Sequence, residues 1–107
     1  MDAEERFARL VDDLAGEPGV EPPGTGRRRG FGSSALTVGG AIFAMLVSGG
    51  LVVKLPAARV AELIGAGAGE PFATGRGRPM REWVAVAPDA DWDGLAREAL
   101  AFVVAGC

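Results

Sequence analysis

The chain has 107 residues, 49% hydrophobic and 23% charged, which suits one domain with its own core and leaves little room for a second module. It has no histidine and no tyrosine, and its single cysteine is Cys107, so a Ser-His-Asp or Cys-His catalytic set, a zinc site of His and Cys, and an internal disulfide framework are excluded. The net charge of −3 is segregated: residues 1–21 hold seven acids and two arginines, residues 22–81 eight bases and two acids, and residues 82–107 five acids and one arginine.

Residues Asp2 to Ala15 read as a helix. Phe7, Leu10, Val11 and Leu14 recur at helical spacing and form one apolar stripe. Asp2 is placed to cap it, Glu4 and Glu5 favour its N-terminal dipole, and Glu5 with Arg9 forms an i,i+4 pair. This acidic, amphipathic start is the opposite of a secretory signal, and with the cysteine usage it fits a cytoplasmic protein. Gly16 ends the helix, and the Gly/Pro/Arg-rich stretch 17–30 reads as a flexible loop.

From Gly30 to Val53 the chain carries no charge, and hydropathy alone suggests a membrane helix. Gly39-Gly40 and Gly49-Gly50 argue against one, since each glycine inside a helix costs about 1 kcal/mol. They cut the run into strand-length pieces, Ser33–Val38, Ala41–Val47 and Leu51–Leu55, joined by hairpin signals. A three-stranded meander is expected, with no membrane partner. In its middle strand Ala41, Phe43, Met45 and Val47 share one face and Ile42, Ala44 and Leu46 the other. Both faces then need cover, from helices, a loop or a second subunit. Phe43 and Met45 are candidate interface residues if theirs is left open.

Pro56 suits the first turn of a second helix bearing Val60, Leu63 and Ile64. Residues 65–80 form a second Gly/Pro/Arg-rich loop, and Glu82–Ala87 alternate as a fourth strand. Asp89 or Asp91 caps a last helix that buries Trp92, Leu95, Ala99, Phe102 and Val103. The expected fold is one α+β domain over 1–107, an antiparallel sheet of four or more strands flanked by N-terminal, middle and C-terminal helices.

The segments GFGSSALTVGGAIFAMLVSGGLVVKLP and PMREWVAVAPDADWDGLAREALAFV resemble the TfoX N-terminal domain family, and more loosely YjbR-like proteins. Phe31-Gly32, Lys54-Leu55, Pro79-Met80 and Trp83 stand where that family shows a Met-Phe-Gly segment, an aliphatic-Lys-Leu strand end and a Pro-Met-aromatic strand. Gly30 replaces the family's common Met, and Ser33-Ser34 a further glycine. The resemblance implies an antiparallel α+β domain and a regulatory association, since longer members carry a second, helical C-terminal domain and act in the regulation of competence genes. It supplies no catalytic residues.

Gly30, Gly32 and Ala35 fit G-x-G-x-x-A, but a dinucleotide site needs a strand before and a helix after, and here a loop leads into a strand. Asp12-Asp13 and Asp89, Asp91 and Asp93 fall at helix ends, where acids are structurally expected, and not in apolar segments that would tune them for acid–base work. Arg27, Arg28 and Arg29 form one basic cluster and Arg76, Arg78 and Arg81 another. If both loops converge near Lys54 they make a cationic surface for phosphate, carboxylate or an acidic partner. An acidic chain is a poor non-specific binder of nucleic acid, although a local patch remains open to it. The expected function is a non-enzymatic regulatory or protein-interaction module without cofactor or metal, self-associating or binding a protein. The alternative is a domain that binds an anionic ligand or nucleic acid through its arginine loops.

Overall fold

The computed structural model describes residues 2–21, 35–47, 49–73 and 79–106. Helix α1 (Ala3–Leu14) starts from a capping box: the Glu5 N–H donates to Asp2 Oδ1 at 2.8 Å, and the Asp2 N–H donates to Glu5 Oε1 at 3.4 Å. Two donors that the first turn leaves free are thereby used. Glu5 serves this cap, and among the described contacts it makes no ion pair with Arg9, contrary to what the spacing suggests. Phe7, Leu10 and Leu14 are buried as expected, with Val11 half-buried beside them.

Six strands follow in one antiparallel sheet: β1 (Val20–Glu21), β2 (Ala35–Val38), β3 (Ala41–Val47), β4 (Gly50–Lys54), β5 (Gly69–Ala73) and β6 (Pro79–Val86). Their spatial order is β1-β2-β3-β4-β6-β5. The second helix, α2 (Ala57–Gly65), lies between β4 and β5 in the chain, and α3 (Trp92–Ala105) closes it. The α+β architecture with three helices agrees with the sequence reading, and so does the β2-β3-β4 meander. Two strands fall where loops were expected: β1 within 17–30, and β5 with the start of β6 within 65–80. Gly69 and Pro71 are poor strand formers, yet both pair with β6, whose Val84 and Val86 are buried. Tertiary pairing overrides propensity there.

The hairpin glycines behave unequally. Val38 pairs with Ala41, so Gly39 (φ +59°) and Gly40 (φ +86°) form a two-residue turn with both residues left-handed. At the next hairpin Val47 pairs with Gly50, so Gly50 already belongs to β4 and only Gly49 (φ +78°) has positive φ.

The three helices share one sheet face. Phe7, Leu10, Leu14, Val60, Leu63, Trp92, Leu95, Ala96, Ala99 and Val103 form a single cluster with Leu36, Ala44, Leu51, Val53 and Val84. Fully buried Ala96 and Ala99 let α3 approach the sheet closely. Arg6 ties α1 to the start of α3: its guanidinium lies 3.9 Å from the Trp92 ring centroid and donates to the carbonyls of Pro88 and Ala90. Arg59 on α2 bonds both carboxylate oxygens of Glu98 on α3, at 3.0 and 3.1 Å. These bonds, and then those to Glu62, hold its pKa above the ordinary value. No helix of the described residues is long and apolar enough to cross a membrane.

A residue at Gly40 other than glycine must adopt positive φ, although a Cβ there would meet nothing within 4 Å. Gly40→Ala is therefore expected to lower stability in urea unfolding by about 1–2 kcal/mol, all of it conformational. Gly39→Asn is expected to cost less, because Asn tolerates the left-handed region.

Candidate functional site

Strand β3 decides which side chains are available. Thr37 pairs with Ile42 but Leu36 pairs with Ala44, so Phe43 is an extra residue without a partner on β2. This bulge breaks the alternation. Phe43 and Ala44 both face the helices, each 0% exposed, and Leu46 follows them onto the core. Ile42, Met45 and Val47 are left on the opposite face, where Ile42 is 39% exposed. The expected set of Ala41, Phe43, Met45 and Val47 on one face is thus corrected. Phe43 is core, and of the two candidate interface residues only Met45, half-buried, lies on the far side.

Register places the rest of that far face. Ala35 opposes Met45, Met45 opposes Val52, and Val52 opposes Ala85, giving an apolar row across four strands. Its centre is closed, with Val52 2% exposed. Next to this row Lys54 opposes Trp83 across β4 and β6. Lys54 points away from the helices because Val53 and Leu55 on either side of it are buried in the core. Arg81, two residues before Trp83 on β6, stands in the stretch where the pairing with β5 shifts register, and it lines the same groove as Trp83.

Lys54, Arg81 and Trp83 line a groove of about 600 Å³ together with Ala57 and Glu82. The Lys54 ammonium lies 5.9 Å from the Trp83 ring centroid, at the outer limit of a cation–π contact. The Leu55 N–H donates to the Glu82 carbonyl at 3.0 Å and fixes the end of the β4–β6 pair. Ala57 opens α2, and its N-cap, Pro56, offers no side-chain acceptor to the first turn. Neither Lys54 nor Arg81 has a carboxylate partner among the described residues. Other arginines are engaged: Arg59 as above, and Arg97 with Asp93 at 3.1 Å and Glu17 at 3.5 Å. The Asp93 hydrogen bond chiefly raises the pKa of Arg97. Among the described residues the groove therefore carries two cations without a carboxylate partner, Lys54 near an indole, and one carboxylate, Glu82.

Of the expected anion site, Lys54 and Arg81 meet in this groove. Arg27, Arg28, Arg29, Arg76 and Arg78 lie outside the described residues, as do Gly30 and Gly32 of the G-x-G-x-x-A match. Trp83 entered the sequence reading as a strand residue and as the aromatic position of the family resemblance, not as a site residue. The signal that could have singled it out is the alternation of Trp83 and Ala85 against Val84 and Val86, which leaves the indole on the face away from the core valines.

The acidic residues are occupied structurally. Asp91 caps α3 by accepting the Gly94 N–H at 3.1 Å, Asp93 pairs with Arg97, and Asp12, Asp13 and Asp89 are exposed. No polar or charged side chain is buried among the described residues, and none of them form a group of three or more potential metal ligands. No protein-family model, curated protein or solved structure matches the chain.

Phe43 and Met45 are separable by mutation. Phe43→Ala is expected to cost about 3–5 kcal/mol, a large part of the roughly 5–15 kcal/mol that holds a small domain together. Met45→Ala, off the main core, is expected to cost about 1 kcal/mol. Urea midpoints of the two variants, measured side by side, check the order.

Proposed function

We propose that this chain is a small non-catalytic binding module, which takes an anionic group of its partner in the groove between Lys54, Arg81 and Trp83. The carrying observation is that two cations without carboxylate partners among the described residues line one groove with an indole. Charges of this kind attract anions and form charge-assisted hydrogen bonds with phosphate or carboxylate oxygens. A regulatory role of the TfoX N-terminal type is compatible with such a module, since binding alone is what it requires. The absence of histidine from the chain and of buried carboxylates among the described residues supports binding over acid–base chemistry.

A protein-interaction reading rests on a different place, the far-face rim where Ile42 is 39% exposed beside half-buried Met45 and Val47. Sedimentation over a wide concentration range tests self-association there. An Ile42→Glu change should abolish any dimer, and a monomer at every concentration removes that form of the reading.

The groove is tested by titrating inorganic pyrophosphate and a hexa-aspartate peptide at low salt while following backbone amide resonances. Shifts are expected at Lys54, Ala57, Arg81 and Trp83, weakening as salt is added. In Lys54→Gln/Arg81→Gln the affinity should fall at least about tenfold, the loss of roughly one charge-assisted contact. Unchanged affinity in that variant, or no shifts with either probe, would overturn the proposal.

A further inference from the structure

We infer that the groove's occupant is a nucleoside phosphate, its base stacked on Trp83 and its phosphate held by Lys54 and Arg81; this rests on the anion-binding reading of the same groove. The inference turns on the indole. A site for carboxylates or inorganic phosphate alone needs donors and no ring. Here Trp83 is half-buried, pairs with Lys54 across the strands, and lines the groove with Lys54 and Arg81. Every nucleobase offers a π-face to such a ring, so stacking recognises the class without selecting one base.

The spacing suits one ring with one attached anion. Lys54 is the direct cross-strand neighbour of Trp83, which puts the Cβ atoms about 4.5–5.5 Å apart. Arg81 is two residues from Trp83 on β6, so the two backbones are at most about 7 Å apart. Both cations thus lie within reach of a phosphate carried by a stacked base. Because the Lys54 ammonium is 5.9 Å from the ring centroid, it is not seated tightly on the indole. A groove of about 600 Å³ also lies in the roughly 300–1,000 Å³ range of small-molecule sites.

A free nucleotide is favoured over a nucleic-acid strand. A strand gains affinity by neutralising successive phosphates. Around Trp83 the described surface instead has Glu82 in the groove and Glu70 opposite Ala85, in a chain of net charge −3. Lengthening the ligand over the described surface meets these carboxylates.

The test compares adenosine monophosphate, ribose 5-phosphate, hexa-aspartate and a short single-stranded oligonucleotide by calorimetry, with the Trp83 indole N–H resonance as local probe. Adenosine monophosphate is expected to bind at least about tenfold tighter than ribose 5-phosphate, with the indole resonance moving only for the base-bearing ligand. Trp83→Leu should erase that excess and keep ribose 5-phosphate binding, whereas Trp83→Phe should retain most of it. Equal affinity for the two phosphates, or an excess that survives Trp83→Leu, overturns the inference. The anion reading still stands in that case if binding depends on Lys54 and Arg81. Tighter binding and a steeper salt dependence for the oligonucleotide than for the mononucleotide transfer the site to nucleic acid and also overturn it. If none of the four probes binds, the inference and the anion reading fall together.

Discussion

The pairing of β4 with β6 holds the two halves of this molecule together. On one side stands the β1–β4 ribbon, on the other the β5–β6 hairpin, and α2 is the covalent link between them. Val53 opposite Val84 is the apolar centre of the joint, and both are fully buried. Leu51 on the same strand, and Leu55 just after its end, continue the strip under the helices. This contact joins strands that α2 and β5 separate in the chain, so its loop-closure entropy is recovered only when the strip is covered. That cover is supplied by α3 over β3 and β4 and by α2 over β5 and β6. The same joint creates the groove, because Lys54 and Trp83 are the next residue pair along the ladder.

Much of the fold was legible because its signals are local. The helix stripes, the Asp2 and Asp91 caps and the Gly39-Gly40 turn each depend on residues within one or two turns of chain. What escaped depends on partners distant in sequence. β5 contains Gly69 and Pro71, residues that read as loop until Val86 and Val84 are placed opposite them. The bulge at Phe43 is equally invisible, since AIFAMLV is apolar at every position and any register satisfies it. Where polar residues alternate, a one-residue slip is punished and the faces can be read. Here nothing in the sequence punishes it.

The groove was half legible for the same reason. Lys54 stands out as the charge that ends a long apolar run, and Arg81 as one of a basic cluster. Their meeting at Trp83 follows from β4 pairing with β6 instead of β5, an order that local patterning does not encode. The remaining arginines of the two clusters lie outside the described residues, so the local charge argument rests on Lys54 and Arg81 alone.

One-sided layering gives the sheet two different tasks. The helix side is committed to stability: it takes all three helices, and cavities made there are costly. The far side carries the variation, with an apolar row at its centre, Ile42 at one rim and the Lys54–Trp83 pair at another. The bulge sharpens this division. By turning Phe43 into the core it removes the largest apolar side chain from the face that would otherwise have displayed it, and leaves smaller Met45 and Val47 there. An aromatic ring nevertheless remains on that face, at Trp83. Burial on the helix side does not require it, since Val84 and Val86 supply the core contacts of β6. The indole instead lines a groove with two cations, and there the fold and the proposed function meet.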